Sequence, residues 1–233
     1  MKLSLSTILI SGLLAVLFSS CDKEATVTPQ VSSTTLPGTG TGGGTTPTPP
    51  VGTTDYQPLT TGTTWRYQET QGTDVDTSTL TVTGRTRIIN TKTYYVIEEN
   101  SKDGKDSTYY YKNNHNYITN SEDFADGVGT ETLYLNDNEA VGYTWTGTAA
   151  SNPLASGTYS GKIVEKGISK TVLGKTYTDV IHTQVVLKLT LLGIANATIN
   201  CDIYVAKGIG IIQFDTNDGT DTSSNKIIDY TIK

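Results

Sequence analysis

Ile181-His182-Thr183-Gln184-Val185-Val186-Leu187-Lys188-Leu189-Thr190-Leu191-Leu192, followed after Gly193 by Ala195-Asn196-Ala197-Thr198-Ile199-Asn200-Cys201-Asp202-Ile203-Tyr204-Val205-Ala206, decides the fold. In both runs the odd positions, Thr183 apart, are apolar and most even positions are polar, a period of two that belongs to strands and not to helices. The glycine between the runs predicts a turn, so the pair reads as a long hairpin with one apolar and one wet face, the pattern of an antiparallel sheet.

Working outward, shorter stretches carry the same signal. Strands are expected at 63–69, 78–89, 93–99, 107–112, 131–135, 144–148 and 157–168, and after Lys207-Gly208 at 209–215 and 227–232. Turn chemistry separates the last two, in Thr216-Asn217-Asp218-Gly219. No stretch repeats apolar residues at helical spacing over three turns. The expectation is an all-β domain over residues 56–233: an antiparallel curved sheet, a two-sheet sandwich or a half-barrel.

Two short motifs recur in the same order. Gly62-Thr63-Thr64-Trp65 returns as Gly142-Tyr143-Thr144-Trp145, and Lys92-Thr93-Tyr94 returns as Lys175-Thr176-Tyr177. If the spacing reflects a repeat, the domain holds two similar meanders, each burying its tryptophan as an anchor.

Upstream of the domain the chain changes character twice. Residues 22–55 carry Pro29, Pro37, Pro47, Pro49 and Pro50 among Thr, Ser and Gly, which leaves little apolar area to offset ordering entropy and predicts a tether of roughly 30 Å. Before it, Lys2 precedes an apolar run to Phe18, and Leu17-Phe18-Ser19-Ser20-Cys21 closes that run. This resembles the lipobox of bacterial lipoproteins. The resemblance implies removal of residues 1–20 and acylation of Cys21 as the lipid anchor, with several chains giving firm attachment because each buried CH₂ contributes about 0.8 kcal/mol. Attachment to the outer membrane, on its periplasmic or its surface face, is the expected location.

Tyr56-Gln57-Pro58-Leu59, with Gly62 to Tyr67 after it, and the later Tyr204-Val205-Ala206-Lys207-Gly208-Ile209-Gly210 resemble a family of uncharacterised, β-rich bacterial envelope lipoproteins. That resemblance implies a fold and no activity. A looser likeness in class is to periplasmic lipoprotein carriers, whose curved sheets cradle acyl chains under a helical lid; no lid helix is legible here.

The search for chemistry is nearly empty. His115 falls in a polar turn and His182 on the less apolar face of the hairpin, both read as solvent-facing, with no Cys or His at ligand spacing to make a zinc site. No Gly-x-Ser-x-Gly elbow is present. Of the carboxylates, Glu98 and Glu99 are neighbours on one strand and point to opposite faces, so they cannot flank one bond. The run from Asp215 to Asp221 has the composition of a calcium loop without the register of one. No catalytic residue, metal site or cofactor is assigned. Cys201, between Ile199 and Ile203, reads as a buried hydrophobe.

Aromatic placement gives the binding candidates. Tyr109-Tyr110-Tyr111 must set rings on both faces of one strand, and Tyr94-Tyr95 do so on another. Tyr94, Tyr109, Tyr110 and Tyr111 are therefore the named rings for a glycan, peptide or protein partner. A net charge of −6 argues against nucleic acid. Three functional expectations follow: a non-enzymatic, lipid-tethered binding module; a carrier or scaffold with an apolar hollow lined by Leu187, Leu189 and Leu191; and a hydrolase, which needs two convergent carboxylates, or a Ser/His pair, in a cleft.

Overall fold

A computed structural model describes residues 55–123, 128–151, 155–191 and 195–233. Cys21, the signal segment and nearly all of the tether lie outside the described residues. Among those described there is no helix, and twelve antiparallel strands form one curved sheet that closes almost into a barrel. The strands are β1 (Thr64–Gln71), β2 (Asp74–Ile89), β3 (Lys92–Ser101), β4 (Gly104–Asn113), β5 (Asn116–Asp123), β6 (Val128–Asn136), β7 (Thr144–Ser151), β8 (Ala155–Val172), β9 (Lys175–Leu191), β10 (Ala195–Ala206), β11 (Gly210–Asn217) and β12 (Thr222–Thr231).

The long hairpin is β9 and β10, in register from Ala195 opposite Leu191 to Ala206 opposite Val180. Val185, Leu187, Leu189, Ile199, Cys201, Ile203 and Val205 all bury inward, as the alternation requires. One strand is absent from the expectation, β5. Its inward positions are Tyr117, Thr119 and Ser121, and two hydroxyls in three hide the period-two signal.

The sheet order is two six-stranded meanders, β1–β6 and β7–β12, joined edge to edge through β1 and β12. Each meander opens identically. Gly62 and Gly142 both have positive φ, and their amides donate to Val82 O and Ile163 O at 2.9 Å. The reciprocal bonds run from Val82 N to Thr63 O and from Ile163 N to Tyr143 O. The second and third strands of each meander meet at a two-residue turn with both φ positive, Asn90-Thr91 in one and Leu173-Gly174 in the other, which matches strand twist. The recurring motifs therefore mark recurring structure.

One end of the barrel gathers the two termini of the domain; the other carries the β1–β2, β3–β4 and β11–β12 turns. At the first end Asp55 to Leu59 are built into the barrel. Asp55 O accepts from Gly208 N at 2.6 Å, Tyr56 N donates to the Tyr117 hydroxyl at 3.2 Å, and Gln57 Oε1 accepts from the Tyr134 hydroxyl at 3.3 Å. Tyr56, Gln57 and Pro58 are buried, so this segment plugs the end at which the tether arrives.

Candidate functional site

The interior is filled at the plugged end by Trp65, Tyr117, Tyr134, Ile181 and Ile209, but not along its whole length. A partly open cavity of about 100 Å³ lies toward the other end. Its apolar wall includes Leu80, Val185, Leu187, Cys201, Ile203 and Phe214, and the rings of Tyr67, Tyr110 and Tyr134 also line it. Tyr67 donates its hydroxyl to Ile211 O at 2.7 Å, so that proton is already committed.

The polar side of the cavity comes from Glu69 on β1, Glu99 on β3 and hydroxyls of Thr108, Thr119 and Thr132 on β4, β5 and β6, with Asn225 on β12. Glu69 lies opposite Asp76 and Glu99 opposite Leu80, on the same inner face with the Tyr67–Ser78 row between them, and their side chains meet across that row. Ser78 donates its hydroxyl to Glu69 Oε1 at 2.5 Å. Glu99 sits beside both, yet that hydroxyl has one proton and gives it to Glu69. Neither Glu99 oxygen meets a donor in good hydrogen-bond geometry, although the Ser78 hydroxyl and the Glu69 carboxyl both stand beside it, and the residue is 2% exposed.

Burial, with the charges of Glu69 and then Asp106 adding to it, raises the Glu99 carboxyl from its usual range to about 8. It therefore keeps its proton at neutral pH. The Thr132 hydroxyl is likewise buried without a partner. Among the described residues no Lys, Arg or His lines this cavity.

The neighbours in sequence separate as strand geometry requires: Glu98 is outside, paired with Lys105 at 2.9 Å, while Glu99 is inside. The condition set for a hydrolase is met by a pair the sequence did not suggest, Glu69 and Glu99, which are 30 residues apart and meet only through β-pairing.

Of the named tyrosines, Tyr110 lines the cavity. Tyr94 and Tyr109 pack instead with Ile89 and Val96 in a second, smaller cluster, on the face of β2–β4 opposite the main core, with Tyr111 and Ile118 against it. Tyr94 donates to Glu131, which also holds Lys92 at 2.6 Å, and Arg87 and Lys92 lie over the rings of Tyr109 and Tyr111. Tyr94, Tyr109 and Tyr110 are buried and offer solvent no open ring. Three adjacent tyrosines can be satisfied this way because the sheet carries a core on both faces here.

Both histidines are engaged. His115 Nδ1 meets Asp137 Oδ1 at 2.5 Å in an exposed turn. His182 corrects the solvent-facing expectation: it is 7% exposed, stacked on Tyr204 with centroids 4.2 Å apart, and its ring nitrogens meet Glu165 at 3.3 Å and Asp202 at 2.7 Å. With both nitrogens occupied by carboxyl groups it is not a base poised for a nucleophile. In the Asp215–Asp221 run, Asp218 Oδ1 accepts from Thr220 N and Asp221 N at 2.8 Å, so that carboxylate caps its own turn. Burial pushes the Cys201 thiol up to about 12, which leaves it unreactive.

No family model matches the sequence, and no curated protein matches it. Solved structures do. A crystal structure from Parabacteroides distasonis, of a protein described as a candidate lipoprotein, superposes with a TM-score of 0.52 at 11% identity, covering 77% of this chain and 99% of that one. A second, of a candidate exported protein with a YmcC-like fold from Bacteroides fragilis, gives 0.44 at 8% identity, covering 75% and 97%. At such identities the first likeness establishes a shared fold.

Proposed function

We propose that the chain is a lipid-anchored protein of the outer membrane, held through Cys21 and the tether of residues 22–55, whose barrel binds a small molecule and does not catalyse a reaction. One observation carries the reading. The segment arriving from the tether plugs the near end of the barrel, and the cavity with its unpartnered carboxyl lies toward the far end. The description of the Parabacteroides neighbour as a candidate lipoprotein supports the anchor. Binding moves from the outer tyrosines to the interior, where Tyr110 alone of the four contributes.

Size decides among the alternatives. An acyl chain needs more than the 100 Å³ present. A glycosidase needs its acids on either side of a bond between two sugars, and the Glu69 and Glu99 carboxyl groups meet each other on one wall with no such room.

Mass spectrometry of the protein matured in a bacterial host should find a mature N-terminus at Cys21 bearing diacylglycerol, and Cys21→Ala should leave the barrel outside the membrane fraction. A mature chain that keeps residues 1–20 and no lipid would overturn the anchor. The binding half stands on the titration described next.

A further inference from the structure

We propose that the barrel cavity is a site for a small primary ammonium compound with a short apolar body, its nitrogen held by Glu69 and Glu99 among the rings of Tyr67, Tyr110 and Tyr134. This rests on the binding reading above and gives it a ligand class.

The first argument is the inventory of polar atoms. Two carboxyl groups and three threonine hydroxyls meet in a cavity with no cationic side chain, so the site is rich in acceptors. Both Glu99 oxygens and Thr132 Oγ1 are buried without a partner in good hydrogen-bond geometry, Glu99 having only Ser78 and Glu69 close by. Buried polar groups left unpaired are costly and call for an explanation. An ammonium group brings three N–H donors and a charge of the required sign. Tyrosine rings attract the same charge.

The second argument compares the two meanders. Across β1, β2 and β3 the inward row reads Trp65, Leu80, Glu99. Across β7, β8 and β9 the corresponding row reads Trp145, Gly161, Val185. Where one repeat has a buried acid the other has a valine, so the fold builds this position without a carboxyl group. Glu99 is a cost to the barrel that a bound cation would offset.

The third argument is size. A cavity on the order of 100 Å³ is about a third smaller than one that holds benzene, which limits the occupant to about five heavy atoms. The apolar lining of Leu187, Ile203 and Phe214 suits a hydrocarbon body.

The charge balance is explicit. The charged groups facing Glu99 are Glu69 from β1 and Asp106 from β4, and the titratable hydroxyls are Tyr67 and Tyr110. All would be negative if ionised. Glu99 holds its proton in the empty site; arrival of an ammonium favours the carboxylate, and one proton leaves to solvent. Affinity should therefore rise with pH toward about 8.

The test is titration calorimetry with n-butylammonium, n-butanol and butyrate, three probes of one apolar body. Butylammonium should bind at least about tenfold tighter than butanol, a difference of the size expected for hydrogen bonds to charged groups, and should release close to one proton when buffers of different ionisation heat are compared. Butyrate should bind weakest. Glu99→Val, which copies the other repeat, should remove the preference for ammonium and leave butanol binding intact. If butanol and butylammonium bind equally, or butyrate binds tightest, the ammonium assignment fails while the binding reading survives. If none of the three binds the folded protein, both fail.

Discussion

The two repeats meet twice, and the two junctions are built differently. At β1 and β12 the backbone closes the sheet, with residues paired from Thr64 opposite Thr231 to Gln71 opposite Ser223. At β6 and β7, the corresponding place on the other side, no ladder forms among the described residues. Side chains on the inner face do the closing. Trp145 Nε1 donates to Leu133 O at 2.9 Å, Thr183 Oγ1 donates to Tyr134 O at 2.9 Å, and the Tyr159 hydroxyl is bonded to the Leu133 backbone. Thr183 stands on β9, so the β6 edge reaches past the edge strand β7 onto the inner wall of the second repeat.

The inward rows explain the difference. Trp65 has Leu80 opposite it and sends its indole N–H to Ile209 O at the plugged end. Trp145 has Gly161 opposite, where an added Cβ would lie 2.1 Å from the indole ring. The absent side chain lets the ring lie flat on the strand and reach across to β6. Gly147 makes the same room for Tyr159, with an added Cβ 2.4 Å from that ring. One residue change in a repeated row converts an anchor into a stitch.

The largest expected effect is at the two tryptophans. Trp65 is 1% and Trp145 8% exposed, and replacing either by alanine should cost roughly 3–5 kcal/mol in chemical denaturation. They should differ in kind: Trp65→Ala weakens the whole barrel, whereas Trp145→Ala frees β6 before the rest unfolds. Equal, fully cooperative losses would erase the distinction between the junctions.

Gly161→Ala comes next. Its Cβ would strike the Trp145 ring, and a loss of about 2–3 kcal/mol is expected from overpacking, with Trp145 fluorescence shifting toward that of a wetter ring. Unchanged stability and emission would show that the flat packing is not what holds the seam.

The smallest effect sharpens the other half of the row comparison. Below the ordinary carboxyl range both folded and unfolded chains hold the Glu99 proton, so the residue costs little there. Between about 4.5 and 8 the unfolded chain loses the proton while the folded chain keeps it, so stability falls as pH rises. Glu99→Val should therefore leave the acid stability near that of the parent and raise the melting temperature increasingly as pH climbs toward 8. A variant that melts lower than the parent at alkaline pH would mean that the barrel depends on the acid.

Much of this architecture was legible from residue patterns. The β9–β10 hairpin declared itself because its inner wall is continuous hydrocarbon, and the repeated Gly-x-Thr-Trp motif marked two strand starts with one backbone geometry. The candidate site was not legible for the reason that makes it a candidate. Around the cavity the inward residues are Thr108, Thr119, Thr132, Glu69 and Glu99, so the apolar alternation that reveals strands breaks down where the interior turns polar. β5 vanished from the reading on that account. The meeting of Glu69 with Glu99 depends on the register of β1, β2 and β3, which local sequence does not report. Tyr94, Tyr109 and Tyr111 misled in a different way, since nothing local shows that β2–β5 carry hydrophobic clusters on both faces.

Native-state hydrogen exchange tests the central claim most directly, that backbone closes one junction and side chains the other. Amides of β1 and β12 should exchange only through global unfolding, and those of β6 and β7 should exchange at least about tenfold faster through a local opening that denaturant barely accelerates. Equal protection at the two junctions, with the same dependence on denaturant, would contradict the account.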